Sequence, residues 1–221
     1  MKHLLYITFL LCSFSIFPQK SETNELLEKG NDAFINNDFE TAQILYSKIL
    51  QIDSINNDAI FNLAITNLNL GNNSEGCNLL QKAYKLRDEN VGEFILEYCG
   101  EIEYNENMFS KDVDELPKFK DGSEVYDLIT EKGINPILFK KFEERANESR
   151  ILRKVKNGKV YVMLKIGIDG KLDSRTTGPD SSLEINREIK TIFQEIAEYI
   201  PCKYKNRPVG MFDSFWLPIS F

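Results

Sequence analysis

The sequence predicts an α-helical repeat followed by an α+β domain built on a small antiparallel sheet. Three observations carry that prediction. A pattern of small and large apolar residues recurs at a spacing of 34 in the first half, the length of a paired-helix repeat. Residues 159–168 carry Val, Val, Leu, Ile and Ile at every second position up to Asp169-Gly170, which reads as a strand and a tight turn. The charge also steps near residue 110. Residues 20–110 hold 6 Lys/Arg against 16 Asp/Glu and residues 111–221 hold 20 against 18, as two separately built domains would.

At 221 residues, 42% hydrophobic and 28% charged, the chain is ordinary for a globular protein and has room for two small domains. A net charge of −7 speaks against nucleic acid as the partner.

The first residues differ from the rest. Lys2 and His3 precede an apolar run from Leu4 to Phe17 broken only by Thr8, Ser13 and Ser15, and Pro18-Gln19-Lys20 follow. A helix of about 14 residues spans about 21 Å, short of a hydrocarbon core of about 30 Å. Residues 1–19 therefore read as a signal peptide, and the protein as exported to the periplasm or envelope. No A-x-A-like site marks the cut. Leu11 precedes Cys12 where a lipoprotein signal needs a small residue, which argues against lipidation. No later segment approaches a membrane span.

Beyond the signal, Cys77, Cys99 and Cys202 make an odd count. Three buried thiols are the plain expectation, because cysteine serves as a small apolar side chain. A Cys77–Cys99 disulfide is the alternative that export permits.

In the first half, Gly30-x-x-x-Phe34 and Asp38-Phe39-x-x-Ala42 recur as Ala64-x-x-x-Leu68 and Asn72-Asn73-x-x-Gly76. Tyr46, Ile49, Leu50 and Ile52 recur as Leu80, Ala83, Tyr84 and Leu86. Small residues fall where helices approach closely and bulky ones where faces interlock. The spacing predicts four amphipathic helices, about 23–35, 39–52, 57–70 and 74–87. Asn36-Asn37-Asp38 and Gly71-Asn72-Asn73 supply the turns within each pair. Residues 91–104, with Val91, Phe94, Ile95, Tyr98 and Ile102, read as a helix capping the apolar end.

These residues resemble the tetratricopeptide repeat in two copies over residues 24–90. Ser54 and Asp88 depart from it where proline often ends the second helix, and Lys29 replaces an apolar residue. Two repeats and the cap fill residues 22–107. The resemblance implies a peptide-binding scaffold whose inner surface comes from the first helix of each pair. Asn31, Ile35, Phe61, Ile65 and Asn69 fall near that surface; Phe61 and Ile65 packing only between helices is the competing expectation. The acidic excess would favour a basic partner segment.

Ser110-Lys111-Asp112-Val113-Asp114-Glu115 is polar, and residues 108–115 read as a linker. Val125-Tyr126-x-x-Ile129 suggests a short helix, Gly133 and Pro136 break it, and 137–146 reads as another. The strand 159–168 places Val160, Val162, Leu164, Ile166 and Ile168 on one face. Asp169-Gly170 reads as a two-residue hairpin turn, and 171–177 as the returning strand. Ser181 with Glu184 forms a capping box. The helix it opens, apolar through Leu183, Ile189, Ile192, Phe193, Ile196 and Ile200, runs to Pro201. A last strand, 213–221, carries Phe215, Leu217, Ile219 and Phe221 on one side, and Pro218 marks it as an edge.

This order resembles the C-terminal domain of TonB-family proteins over residues 116–221. The resemblance rests on Gly158-Lys159-Val160-Tyr161-Val162, Ile168-Asp169-Gly170-Lys171, Asn206-Arg207-Pro208-Val209 and Leu217-Pro218-Ile219-Ser220-Phe221, with Leu116-Pro117-Lys118-Phe119-x-x-Gly122 as lead-in. Pro201-Cys202-Lys203-Tyr204 departs from it, since a tryptophan-containing segment is usual there, and 143–157 is longer and more charged. The resemblance implies strand addition by an extended segment of an outer-membrane receptor, for which Phe215, Leu217 and Ile219 on the final strand are the candidate positions.

The only histidine is His3, so no Ser-His or Cys-His machinery and no usual zinc cluster is expected. Gly167-x-x-Gly170 lacks a phosphate-loop ending, Asp173 and Asp180 lack calcium-loop spacing, and no carboxylate pair stands out as acid and base. Cys202 as a nucleophile is the one enzymatic alternative. The basic run Arg150, Arg153, Lys154, Lys156 and Lys159 reads as a solvated loop, with an anionic partner or lipid headgroup as the alternative. The expected function is that of an exported protein–protein adaptor without enzymatic activity or cofactor. The alternative is a component of TonB-type energy coupling held by an uncleaved N-terminal anchor. Dimerisation through an open edge strand stays open.

Overall fold

The computed structural model describes residues 16–220 except Lys132 and Lys156. Residues 1–15 of the expected signal segment, with His3 and Cys12, lie outside the described residues. Among the described residues, no helix is long and apolar enough to cross a membrane. The chain divides into two compact units, with the boundary between Glu103 and Tyr104.

The first unit is helical: α1 (Ile16–Ile35), α2 (Phe39–Ile52), α3 (Asn57–Asn69), α4 (Asn73–Lys85) and α5 (Val91–Tyr98). Local chemistry sets the helix starts. Asp38 accepts from the Thr41 amide and Asn56 from the Ala59 amide, satisfying backbone donors that the first turn leaves unpaired. The period of 34 is visible in the backbone, since Asn37 (φ 60°) and Gly71 (φ 79°) turn in the left-handed region at equivalent places. Close packing explains the small residues. A Cβ on Gly30 would stand 2.6 Å from the Tyr46 ring, and one on Gly76 2.8 Å from Leu68 Cγ. Ala42, Tyr46, Ile49, Ala64, Leu80, Ala83 and Tyr84 form the buried seam between helices.

The expected capping helix is present but ends at Tyr98. Cys99 closes it and is bonded to Cys77 on α4. Two of the three cysteines are thus a disulfide, not buried thiols; only Cys202 is free and buried.

The second unit contains β1 (Asn107–Met108), β2 (Lys118–Asp121), β3 (Glu124–Asp127), β4 (Ile129–Thr130), β5 (Gly133–Ile134), α6 (Pro136–Glu148), β6 (Lys159–Ile166), β7 (Leu172–Thr177), α7 (Leu183–Ile196), β8 (Glu198–Ile200), β9 (Cys202–Tyr204), β10 (Arg207–Met211) and β11 (Phe215–Ser220). Its largest sheet has the order β11-β6-β7, antiparallel throughout. Val160, Val162, Leu164, Ile166, Leu217 and Ile219 are buried on its inner face together with Ile189, Ile192 and Phe193 of α7. Phe142 of α6 stacks on Phe193 at 4.6 Å, joining the two helices.

Several expectations change. The residues read as a linker belong to the unit. β1 pairs with β10, and Glu115 bridges Lys203 across an antiparallel contact. The short helix expected at 125–129 is strand, because β2 pairs with β3 on one side and β8 on the other. The connection after β6 spans residues 167–171, longer than a two-residue turn; Gly170 adopts φ 74° in it. The cap of α7 is Ser182, which accepts from Ile185 N, while Ser181 bonds the Thr176 carbonyl. α7 also stops at Ile196, four residues early. Tyr199 turns back to donate its hydroxyl to the Phe193 carbonyl at 2.6 Å, which frees residues 198–200 to pair as β8.

Candidate functional site

In the first unit, Asn31 and Ile35 of α1 and Phe61 and Ile65 of α3 line one cavity of about 280 Å³ with Phe34, Tyr46 and Asn62. Its polar end is a three-residue array. Asn31 Oδ1 accepts from the Tyr46 hydroxyl at 2.8 Å and from Asn62 Nδ2 at 3.0 Å. Burial pushes the Tyr46 hydroxyl above its ordinary pKa, partly offset by its bond with Asn62. The rest of the wall is apolar, and Ile35 is 74% exposed at the mouth.

A second cavity of about 300 Å³ shares Ile65 and is lined also by Leu68, Asn69, Asn73, Phe94, Glu97 and Tyr98. Phe61 meets Phe94 edge-on at 5.1 Å, and Phe94 stacks against Tyr98. Asn69 bonds its own helix at the Ile65 carbonyl. All five residues expected on the inner surface therefore line one or the other cavity. The sequence reading missed Phe34, Asn62, Phe94 and Tyr98. Asn62 follows Asn31 by 31 residues, a separation that is diagnostic only once the helix pairs are superposed. Phe94 and Tyr98 sit on α5, which had been read as a cap alone.

In the second unit, β11 pairs with β6 alone among the described strands, so its other rim is an edge. Beside the end of that strand, Ser220 and the α6 residues Lys140, Phe142, Glu143, Glu144, Ala146 and Asn147 enclose a groove of about 360 Å³. Of the three residues expected to meet a partner, Leu217 and Ile219 are buried and Phe215 is half-buried. The side chains of Leu217 and Ile219 are thus part of the core, so an added strand would meet these positions through the backbone. The side chains that β11 turns outward are Trp216, Pro218 and Ser220.

Cys202 is buried, and burial with the nearby Asp213 carboxylate pushes its thiol up to about 12, which keeps it protonated at neutral pH. The described residues contain no cluster of three or more His, Cys, Asp or Glu placed to hold a metal ion. No protein-family model matches this chain, and no curated protein matches it.

Proposed function

We propose that this chain is an exported adaptor of the cell envelope, a binding protein without enzymatic activity. It takes one polypeptide segment in the groove of a tetratricopeptide-like repeat and another along the rim of a TonB-like domain. The observation that carries the reading is β11, a six-residue strand with one neighbour and a groove beside its end. Unpaired backbone donors and acceptors on such a rim are a template for an added strand. Pro218 removes one of those donors, which restricts pairing to segments in a matching register. The Cys77–Cys99 bond supports export, since disulfides persist in oxidising compartments. In the repeat, an extended segment would set an apolar side chain among Phe34, Ile35, Phe61 and Ile65 and a backbone amide against Asn31 and Asn62. By the TonB-like resemblance, the segment added at β11 belongs to an outer-membrane receptor.

Photo-crosslinkers at Ile35 and at Ser220 test this in envelope fractions. Each position should trap its own defined polypeptide, identified by mass spectrometry. Trapping at neither position above the yield of a crosslinker at exposed Glu28 would end the adaptor reading.

A further inference from the structure

The outer face of the β11-β6-β7 sheet carries the only tryptophan of the chain. Trp216 is 57% exposed and Tyr161 54% exposed. The register sets Trp216 opposite Met163 and Pro218 opposite Tyr161, so the four make one apolar block on two adjacent strands. Strand side chains alternate, and the opposite face of the same strands holds the buried Val160, Val162, Leu164, Leu217 and Ile219. The aromatic face is therefore turned away from the core of its own unit. Contiguous exposed apolar surface of this kind marks a contact site.

Charge says what kind. Lys159 and Lys165 stand at the two ends of β6 on this face, and Arg175 of β7 lies opposite Met163. Asp173 stands opposite Lys165 in the register and bonds Lys190 of α7, and Asp180 accepts from the Lys159 amide at 2.8 Å. Lys159, Lys165 and Arg175 thus outnumber the carboxylates around the apolar centre, and Arg175 flanks Met163 directly.

We propose that this face docks on a lipid bilayer surface bearing anionic phosphate headgroups. Tryptophan and tyrosine favour an interface, where the ring is in apolar surroundings and its polar tip stays wet. Lysine and arginine at the border add attraction to anionic headgroups. The cations lie at both strand ends and on a second strand, a layout that matches a plane of charge rather than the single row of an extended peptide. A second copy packed on the same face would bring like charges together. The acidic excess of the protein lies in residues 20–110, whereas residues 111–221 hold 20 basic against 18 acidic residues, so the docking unit is not repelled as a whole. This reading does not depend on strand addition at the rim.

Trp216 makes the test direct, because the fluorescence of the full chain reports this face alone. Vesicles of phosphatidylcholine containing phosphatidylglycerol should shift its emission to the blue and sediment the protein, and phosphatidylcholine alone should do neither. The double variant K159E/R175E keeps the reporter and should bind anionic vesicles about 30-fold more weakly. W216A, at an exposed position, should keep the parent thermal midpoint and lose sedimentation. Unshifted emission with anionic vesicles, or equal sedimentation of the parent and both variants, overturns the proposal. A blue shift produced by an acidic polypeptide such as poly-glutamate, and not by vesicles, also overturns it and assigns the face to a protein.

Discussion

Asn62 on α3 donates its side-chain amide to Asn31 Oδ1 on α1 at 3.0 Å, linking the first helices of both repeats at the polar end of the apolar cavity. The same oxygen accepts from the Tyr46 hydroxyl, so one side chain satisfies two partly buried donors. Asn31→Ala strands both. The expected cost is about 1–3 kcal/mol, read as a lowered midpoint in thermal unfolding. Asn31→Asp keeps the acceptor oxygen and should lose less. Equal midpoints for the Ala and Asp variants would show that the array contributes nothing.

The Cys77–Cys99 bond closes 22 residues of separation and ties α5 to α4. Because α5 carries Phe94 and Tyr98, the bond also holds one wall of the second cavity. Cys77→Ser with Cys99→Ser should cost about 3 kcal/mol, since the unfolded chain regains the freedom of that loop. Denaturant titration of the parent with and without a thiol reductant should reproduce the difference, and coincident curves would refute it.

Two glycines with positive φ separate backbone strain from crowding. Gly122 (φ 62°) has nothing within 4 Å of an added Cβ, whereas one on Gly170 (φ 74°) would stand 2.6 Å from the Tyr199 carbonyl oxygen. Gly122→Ala should cost only the left-handed penalty, about 1–2 kcal/mol. Gly170→Ala should exceed it by a further 1–3 kcal/mol or so, as backbone must move. Matched denaturation midpoints for the pair would contradict the close approach of β8 to the 167–171 loop.

Burial raises the Cys202 thiol from its ordinary value near 9 to about 12. Between those values the unfolded chain loses this proton while the folded one keeps it. The contribution is therefore complete below about pH 9 and is lost as pH rises to about 12. Unfolding free energy of the parent should fall across that window more steeply than that of Cys202→Ala. Alkylation of Cys202 at pH 8 should follow global unfolding; fast alkylation of the native protein argues against burial.

Where sequence patterns were long, they settled the structure. α2 and α3 fall within a residue of the helices expected from apolar spacing, and β6 holds the face that alternation assigned, except that Ile168 falls beyond its end. Short elements were not legible. β8 has three residues, and its sequence continues the apolar spacing of α7; only pairing with β2 and the Tyr199 hydroxyl on Phe193 make it a strand. Residues 110–115 look like a linker because most of their side chains are polar, yet Met108 just before them is buried and pairs with β10, and Glu115 bridges β9, a role that local composition does not encode.

The amino-acid sequence alone determined the two-part organisation, the 34-residue repeat and the central strand, because each is written in periodic burial of side chains close together in the chain. Tertiary structure decided which faces stay open. Phe215, Leu217 and Ile219 share one side of the last strand, and the core takes Leu217 and Ile219 and half-buries Phe215, while Trp216 is left outside. The same strand pattern fits either face; which one is buried depends on α6 and α7 arriving from elsewhere in the chain. Asn31 and Asn62, and Cys77 and Cys99, likewise become pairs only when separate helices fold together.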